Sequence, residues 1–198
     1  MKNLRFYDIL QIMEKKKIIN YYTMHYDSPI GGFVLAATQS HLIGLWMEGQ
    51  KYFAVTLPQE HVHNTPVPPL VQTAAWLDAY FAGERPGIDA LPLAPIGGEF
   101  RQQVWQILCE IPYGALMTYG QIAQELKKRT GRQSMSAQAV GGAVGHNPIS
   151  IIIPCHRVVG SNGSLTGYAG GIDKKRWLLE HEGADMQRLY MPTKGTAL

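Results

Sequence analysis

The stretch Leu91-Pro92-Leu93-Ala94-Pro95-Ile96-Gly97-Gly98 constrains the fold most, because no helix or inner strand runs through it. Each proline fixes its own φ and lacks a backbone N–H, and paired glycines favour no regular element. The stretch reads as a linker. It divides a chain of 198 residues, long enough for one large domain or two small ones. The expected order is an extension over 1–19, an α/β domain over 20–90, the linker over 91–98, a second domain over 99–190 and a tail over 191–198.

The two sides differ in charge. Residues 1–99 carry seven Lys or Arg against nine Asp or Glu, a net of −2. Residues 100–198 carry eleven against six, a net of +5, so this half is the candidate for contact with a polyanion. Hydrophobic content of 45% and charged content of 17% suit a globular chain. No apolar run approaches the ~20 residues that span a bilayer. Asp8 and Glu14 interrupt the apolar residues of the first seventeen positions, and no cleavage site follows, so a secretory signal is not expected. That segment reads equally as a short helix or a frayed extension. Two cysteines, Cys109 and Cys155, exclude a disulfide scaffold and point to a reducing, cytoplasmic setting. Cys109 falls in a helical pattern and is expected to pack.

On the N-terminal side, Tyr21–Tyr26, Gly32–Ala37 and His41–Trp46 read as strands, with a turn at Asp27–Gly31. A helix over Val71–Phe81 follows, with Gly83 as its stop. No catalytic constellation is visible there. On the C-terminal side, Phe100, Val104, Ile107, Leu108 and Ile111 form one helix face. Thr118 and Gln121 fit a capping box for the next helix. Lys127–Arg132 reads as a basic turn, and Ser134 or Ser136 can cap a helix from Ala137 to Val144. Two helices about a short turn in a basic half read as a helix-turn-helix. Val158–Leu165 reads as a hairpin, and Asp173 as the cap of a last helix that Gly183 ends. The loop Gly167-Tyr168-Ala169-Gly170-Gly171 lacks the nucleotide-phosphate patterns.

Ile149-Ser150-Ile151-Ile152-Ile153 reads as a buried strand, stopped by Pro154. Directly after it come Cys155, His156 and Arg157. A thiol ionises near pKa ~8.5 unless a base, cation or helix end lowers that value. The motif supplies a nucleophile, a base and a cation in three positions. A cysteine after a strand also packs inertly in many proteins, and adjacency alone leaves both readings standing.

Four motifs in register carry a resemblance: Gly142 through Asn147-Pro148; Ile153-Pro154-Cys155-His156-Arg157-Val158-Val159; Gly167 to Gly171; and Trp177-Leu178-Leu179-Glu180-His181-Glu182-Gly183. Together they resemble the O6-alkylguanine-DNA alkyltransferases, closely over 99–184 and more loosely back to about residue 20. The resemblance implies a two-domain α+β protein. Its N-terminal domain would be ribonuclease-H-like, and its C-terminal domain winged-helix-like, the Val158–Leu165 hairpin being the wing.

It also implies a single-turnover reaction, in which a cysteine takes the alkyl group from guanine O6 irreversibly. O4-alkylthymine is a further substrate open to the family. Cys155 would be the nucleophile, His156 its proton acceptor through a water, and Glu182 the group that orients His156. Tyr119 would protonate the departing guanine and help turn the nucleotide out, Asn147 would position the cysteine, and Lys175 would lie near it. Val158, Tyr168, Ala169 and Gly170 would line the base pocket. Thr118, Ala137, Gln138, Ala139, Gly141 and Arg157 would meet DNA. The bare helix face suits a minor groove about 6 Å wide, and the target base must leave the stack.

The partner implied is double-stranded DNA with alkylated bases, bound by a monomer away from membranes. Residues 1–99 hold no cysteine, so the zinc site of some members is not expected, nor any cofactor. One departure stands out. Gln138 occupies the place of an arginine that fills the gap left by the flipped base, and Lys127, Lys128, Arg129 and Arg132 could compensate. Three rival readings are a sensor of alkylated DNA that transfers nothing, a Cys-His hydrolase or acyltransferase, and an ordinary winged-helix DNA binder with an inert thiol.

Overall fold

A computed structural model describes residues 20–192. The expectations for residues 1–19 and for positions 193–198 of the tail lie outside the described residues. The chain opens with an antiparallel meander, β1 (Tyr22–Ser28), β2 (Gly31–Ala37) and β3 (Leu42–Met47), in that spatial order. The register runs from Tyr22 opposite Ala37 to Ser28 opposite Gly31. Pro29 and Ile30 make the tight turn, and the Ser28 hydroxyl takes the Ile30 N–H. Helix α1 (Pro68–Phe81) begins on prolines, whose missing N–H groups are not needed in a first turn. It lays Leu70, Leu77 and Tyr80 into the same core as Phe33, Leu35, Leu45 and Met47.

The linker is not free. Leu42 N–H donates to the Pro92 carbonyl at 2.8 Å, and Ala94 N–H to the Leu42 carbonyl at 2.8 Å. Farther along β3, Leu45 N–H donates to the Pro148 carbonyl and Ser150 N–H to the Leu45 carbonyl. Both prolines act only as acceptors, as they must at a sheet edge. The N-terminal sheet therefore holds the linker and, beside it, the segment that leads to Cys155.

The C-terminal half consists of α2 (Glu99–Cys109), α3 (Tyr119–Thr130), α4 (Ala137–Gly145) and α5 (Ile172–His181). A short parallel pair, β4 (Met117–Thr118) and β5 (Val158–Val159), ties the start of α3 to the residues after the Cys motif. Trp105 of α2 is fully buried, and its indole N–H donates to the Ala143 carbonyl at 2.9 Å, clamping α4. The Thr118–Gln121 capping box forms in both directions. Ser136 rather than Ser134 caps α4.

Four expectations need correction. The basic residues Lys127, Lys128 and Arg129 are the last turn of α3, which Gly131 ends in a left-handed conformation; the turn proper is 131–136. Asp173 lies in the first turn of α5, and Gly171 is its N-cap.

The hairpin over Val158–Leu165 does not form. Residues 160–164 close a tight loop, Val158–Val159 pair with β4, and Ser164 bridges to Tyr190 instead. Ile149–Ile153 is no strand either. Only Ile149 bridges to the sheet, and the chain then coils so that Ile153 N–H reaches the Ile149 carbonyl at 3.1 Å. Ile151 sits at φ +67, a rare place for a β-branched residue, and its burial holds it there. An apolar run cannot distinguish a strand from a buried coil, since both are equally oily.

The cap gives a direct check on α3. Thr118→Ala removes one side of the capping box and should cost about 1 kcal/mol, lowering the thermal midpoint by about 2–4 °C for a chain of this size. An unchanged melt would mean that the cap adds nothing to the folded half.

Candidate active site

Cys155, His156 and Arg157 form a single 3-10 turn directly after Pro154. Asn147, at the end of α4, builds the seat for that turn. Its amide donates to the Ile149 carbonyl at 3.2 Å, to the Ile153 carbonyl at 2.7 Å and to Cys155 Sγ at 3.1 Å. Its Oδ1 accepts the Ile149 N–H at 3.0 Å. One side chain thus shapes the coil and touches the sulfur.

Cys155 is only 6% exposed. Burial pushes its thiol up, and the Asn147 amide, the Lys175 charge and nearby backbone N–H groups pull the other way without overcoming it. Lys175 is fully buried, and its ammonium donates to the Val158 and Thr166 carbonyls. Burial brings its pKa down to about 7, while the neighbouring Cys155 favours its charged form. It is thus a cation whose charge depends on what the sulfur does.

His156 is completely buried. Its Nε2 donates to Glu182 Oε1 at 2.7 Å, and Nδ1 has no partner among the described residues. That bond assigns the proton to Nε2 and the lone pair to Nδ1, the tautomer a general base needs. Burial keeps the imidazole neutral, since Arg157 and Lys175 also oppose a further positive charge.

Glu182 follows α5 and collects five donors. They are His156 Nε2, Arg157 Nε at 2.8 Å, Arg157 Nη2 at 2.9 Å, Tyr80 Oη at 2.9 Å and the Gly114 N–H at 3.1 Å. Burial opposes ionisation, but the donors and the Arg157 charge outweigh it and hold the carboxyl well below the usual carboxylate range. Gly114 is at φ +72, and a Cβ there would stand 2.8 Å from the Glu182 carbonyl, so only glycine delivers that N–H.

Arg157 is a correction. It is 6% exposed and committed to Glu182 and the Ile111 carbonyl, with its guanidinium over the Tyr113 ring. It is an internal counter-ion, not a surface contact. Cys109 is half-buried in α2, and burial raises its thiol to about 11, which leaves it unreactive.

Above the sulfur, the Tyr119 hydroxyl donates to the Thr166 carbonyl at 3.2 Å, and burial beside Cys155 keeps it protonated. Val158 and Tyr168 are buried, while Ala169 and Gly170 are partly open. A Cβ at Gly170 would come within 2.6 Å of Met47 Sδ and 2.9 Å of the Tyr168 ring. The loop is therefore fitted to β3, and Lys51 N–H donates to the Ala169 carbonyl at 3.0 Å. Ala137, Gln138, Ala139 and Gly142 form the exposed face of α4, with Gly141 half-buried beside the Tyr119 ring and Thr118 partly open nearby.

Sequence reasoning missed Tyr80, Met47 and Lys51. An aromatic at helical spacing looks like any core residue, and no local signal links position 80 to position 182.

The pH dependence of stability follows from the buried pair. Glu182 has a depressed pKa, so its stabilisation is complete above its ordinary value of 4.5 and is lost as pH falls below it. Neutral buried His156 adds a loss that starts below its ordinary 6.5. Glu182→Gln strands the Arg157 charge and should cost about 3–5 kcal/mol. The variant's melting temperature should also fall less steeply with acid than that of the wild type. Parallel acid slopes would show that folding does not depress the Glu182 pKa.

Comparison with known proteins agrees with this geometry. Residues 20–95 match the family description "6-O-methylguanine DNA methyltransferase, ribonuclease-like domain", and residues 99–184 match its "DNA binding domain". A methylated-DNA–protein-cysteine methyltransferase of Methanosarcina acetivorans is 45% identical over 165 residues, covering 83% of this chain and 99% of that protein. A Mycobacterium tuberculosis relative of the same name is 46% identical over 166 residues, covering 83% and 93%. The crystal structure of Mycobacterium tuberculosis OGT in complex with DNA superposes with a TM-score of 0.70 at 42% identity, covering 81% of this chain and 92% of that one. The two-domain chain, with its capped helix pair and its assembled Cys155–His156–Glu182 set, belongs to the methylated-DNA–protein-cysteine methyltransferase family.

Proposed function

We propose that this protein repairs alkylated DNA by moving the alkyl group of O6-alkylguanine onto Cys155, once per molecule. The observation that carries the reading is a shielded sulfur with a base fixed at the next position: Asn147 on Sγ, and His156 held by Glu182 with Nδ1 unpartnered among the described residues. The thiol proton passes through a water to His156, and the sulfur attacks the alkyl carbon. The S–C bond forms as the C–O6 bond breaks. Tyr119 supplies a proton to the departing guanine, and Lys175 offsets negative charge close to the sulfur. The thioether product offers water no leaving group, so the protein is spent.

The target base must be turned out of the duplex, because its O6 lies inside the stack. The exposed small face of α4 can approach a narrow groove, and Val158, Tyr168, Ala169 and Gly170 are placed to receive the base. In this reading residues 20–90 form the ribonuclease-H-like domain, 91–98 the connecting strap and 99–190 the winged-helix-like domain. The meander under α1 and the capped α3–α4 pair support it. Among the described residues no helix is long and apolar enough to cross a membrane.

Gln138 is exposed at the start of α4. Arg129 cannot compensate for a missing arginine there, since it is tied to Glu110 and Glu125. Arg132 leans over the Phe100 ring. Lys127, Lys128 and Arg132, exposed and outside any ion pair among the described residues, keep that role.

The deciding experiment is incubation with a duplex containing O6-methylguanine, followed by intact mass and peptide mapping. One methyl group on Cys155, absent from Cys155→Ser, is expected. An unmodified protein that still binds the lesion would be a sensor. Gln138→Arg should raise transfer at limiting DNA by about fivefold, the margin between a charge-assisted and a neutral hydrogen bond. An unchanged rate and affinity would mean that the arginine is not limiting here.

A further inference from the structure

Tyr80 lies on α1, in the N-terminal half, and is only 1% exposed. Its ring stacks on Trp76 at 5.5 Å between centroids and meets Phe81 and Tyr113 edge-on. His181 Nε2 donates to its backbone carbonyl at 2.7 Å. Both main chain and ring are therefore fixed against the end of α5. The hydroxyl is the one polar atom of the side chain, and it donates to Glu182 Oε1 at 2.9 Å. That is the same oxygen that takes the His156 Nε2 proton at 2.7 Å.

We propose that Tyr80 is a positioning residue for alkyl transfer, setting through Glu182 how His156 is aimed and how readily it takes the thiol proton. The inference rests on the transfer reading above. Glu182 Oε2 is pinned by Arg157 Nε and the Gly114 N–H, and Oε1 by Arg157 Nη2 and Tyr80. Without Tyr80, Oε1 keeps His156 Nε2 and Arg157 Nη2 but loses its third donor, and the carboxylate is held less tightly on the side of α1. The electronic consequence has a definite sign. The tyrosine proton draws charge from the oxygen that stabilises a protonated His156. Removing it leaves more of that charge for the imidazole, so His156 becomes easier to protonate.

Burial and the Glu182 charge both keep the hydroxyl protonated, so it acts only as a donor. The other ionisable groups that face the pair are Arg157, Lys175, Cys155, Tyr113 and Tyr168, with His181 against the Tyr80 ring. None of them replaces a hydrogen bond on Oε1 from the side of α1. A role in the core alone would need the ring but not the hydroxyl.

Tyr80→Phe keeps the ring and removes only the oxygen. Three quantities would be read: the single-turnover rate of methyl transfer from an O6-methylguanine duplex across pH, the affinity for that duplex, and the titration of His156 followed by imidazole nitrogen NMR. The expected result is a rate about tenfold lower at neutral pH, the looser aim of His156 outweighing its greater basicity, and an unchanged duplex affinity. The His156 midpoint should rise by ~0.5 pH unit, with the acid limb of the rate profile moving with it. A slower rate with an unmoved His156 titration would reduce Tyr80 to a packing residue and overturn the proposal. Wild-type protein that never methylates Cys155 would sink the transfer reading, and Tyr80's part in transfer with it. If the wild type reacts and Tyr80→Phe matches it in rate and titration, the Tyr80 inference fails alone.

Discussion

Everything near the sulfur depends on one buried carboxylate. Glu182 gathers donors from α1, from the turn after α2, and from the 3-10 turn that carries Cys155. A buried charge is tolerable only when paired and hydrogen-bonded, and here every bond also fixes a chain segment. Arg157 shows how the constraint works. It neutralises the carboxylate, stitches the Ile111 carbonyl to the site, and thereby forces the 3-10 turn to present His156 and Cys155 together. In the proposed function the motif Cys-His-Arg supplies nucleophile, base and keystone, and the arginine faces inward.

The second constraint is the edge of β3. It takes the linker on one stretch and Pro148–Ser150 on another. Two halves of the chain that differ in charge and composition are thereby joined by backbone hydrogen bonds. Met47 adds a side-chain contact under the Tyr168–Gly170 loop. The N-terminal half, which carries no cysteine of its own, thus packs under the Tyr168–Gly170 loop and supplies one donor to Glu182.

What the sequence revealed and what it hid follow from range. Strands β1 and β2, the helix over Val71–Phe81 and the Thr118–Gln121 cap were legible, because each depends on neighbours within a few residues. The expected Cys155–His156–Glu182–Asn147–Lys175 set lies together, and the four spaced motifs that placed it were visible without any geometry. The strand assigned to Ile149–Ile153 failed because the Asn147 side chain, not propensity, bends that segment. The hairpin after Val158 failed because its two arms found other partners, β4 and Tyr190. Tyr80 was invisible, since its only distinguishing feature is a bond to a residue 102 positions away.

Burial of the thiol looks at first like a defect in a nucleophile, for it disfavours the thiolate. For a protein that reacts once, the opposite holds. An exposed low-pKa thiolate would be lost to any oxidant or alkylating agent before a lesion arrived. A thiolate formed from a high-pKa thiol is also intrinsically the stronger nucleophile. In the proposed reaction the site meets both demands by keeping the proton on sulfur at rest, with neutral His156, its Nδ1 unpartnered among the described residues, to accept it and Lys175 to offset the charge that forms. Ionisation can then wait for the base that excludes water, and the energy of bringing that base into the pocket is available to drive it.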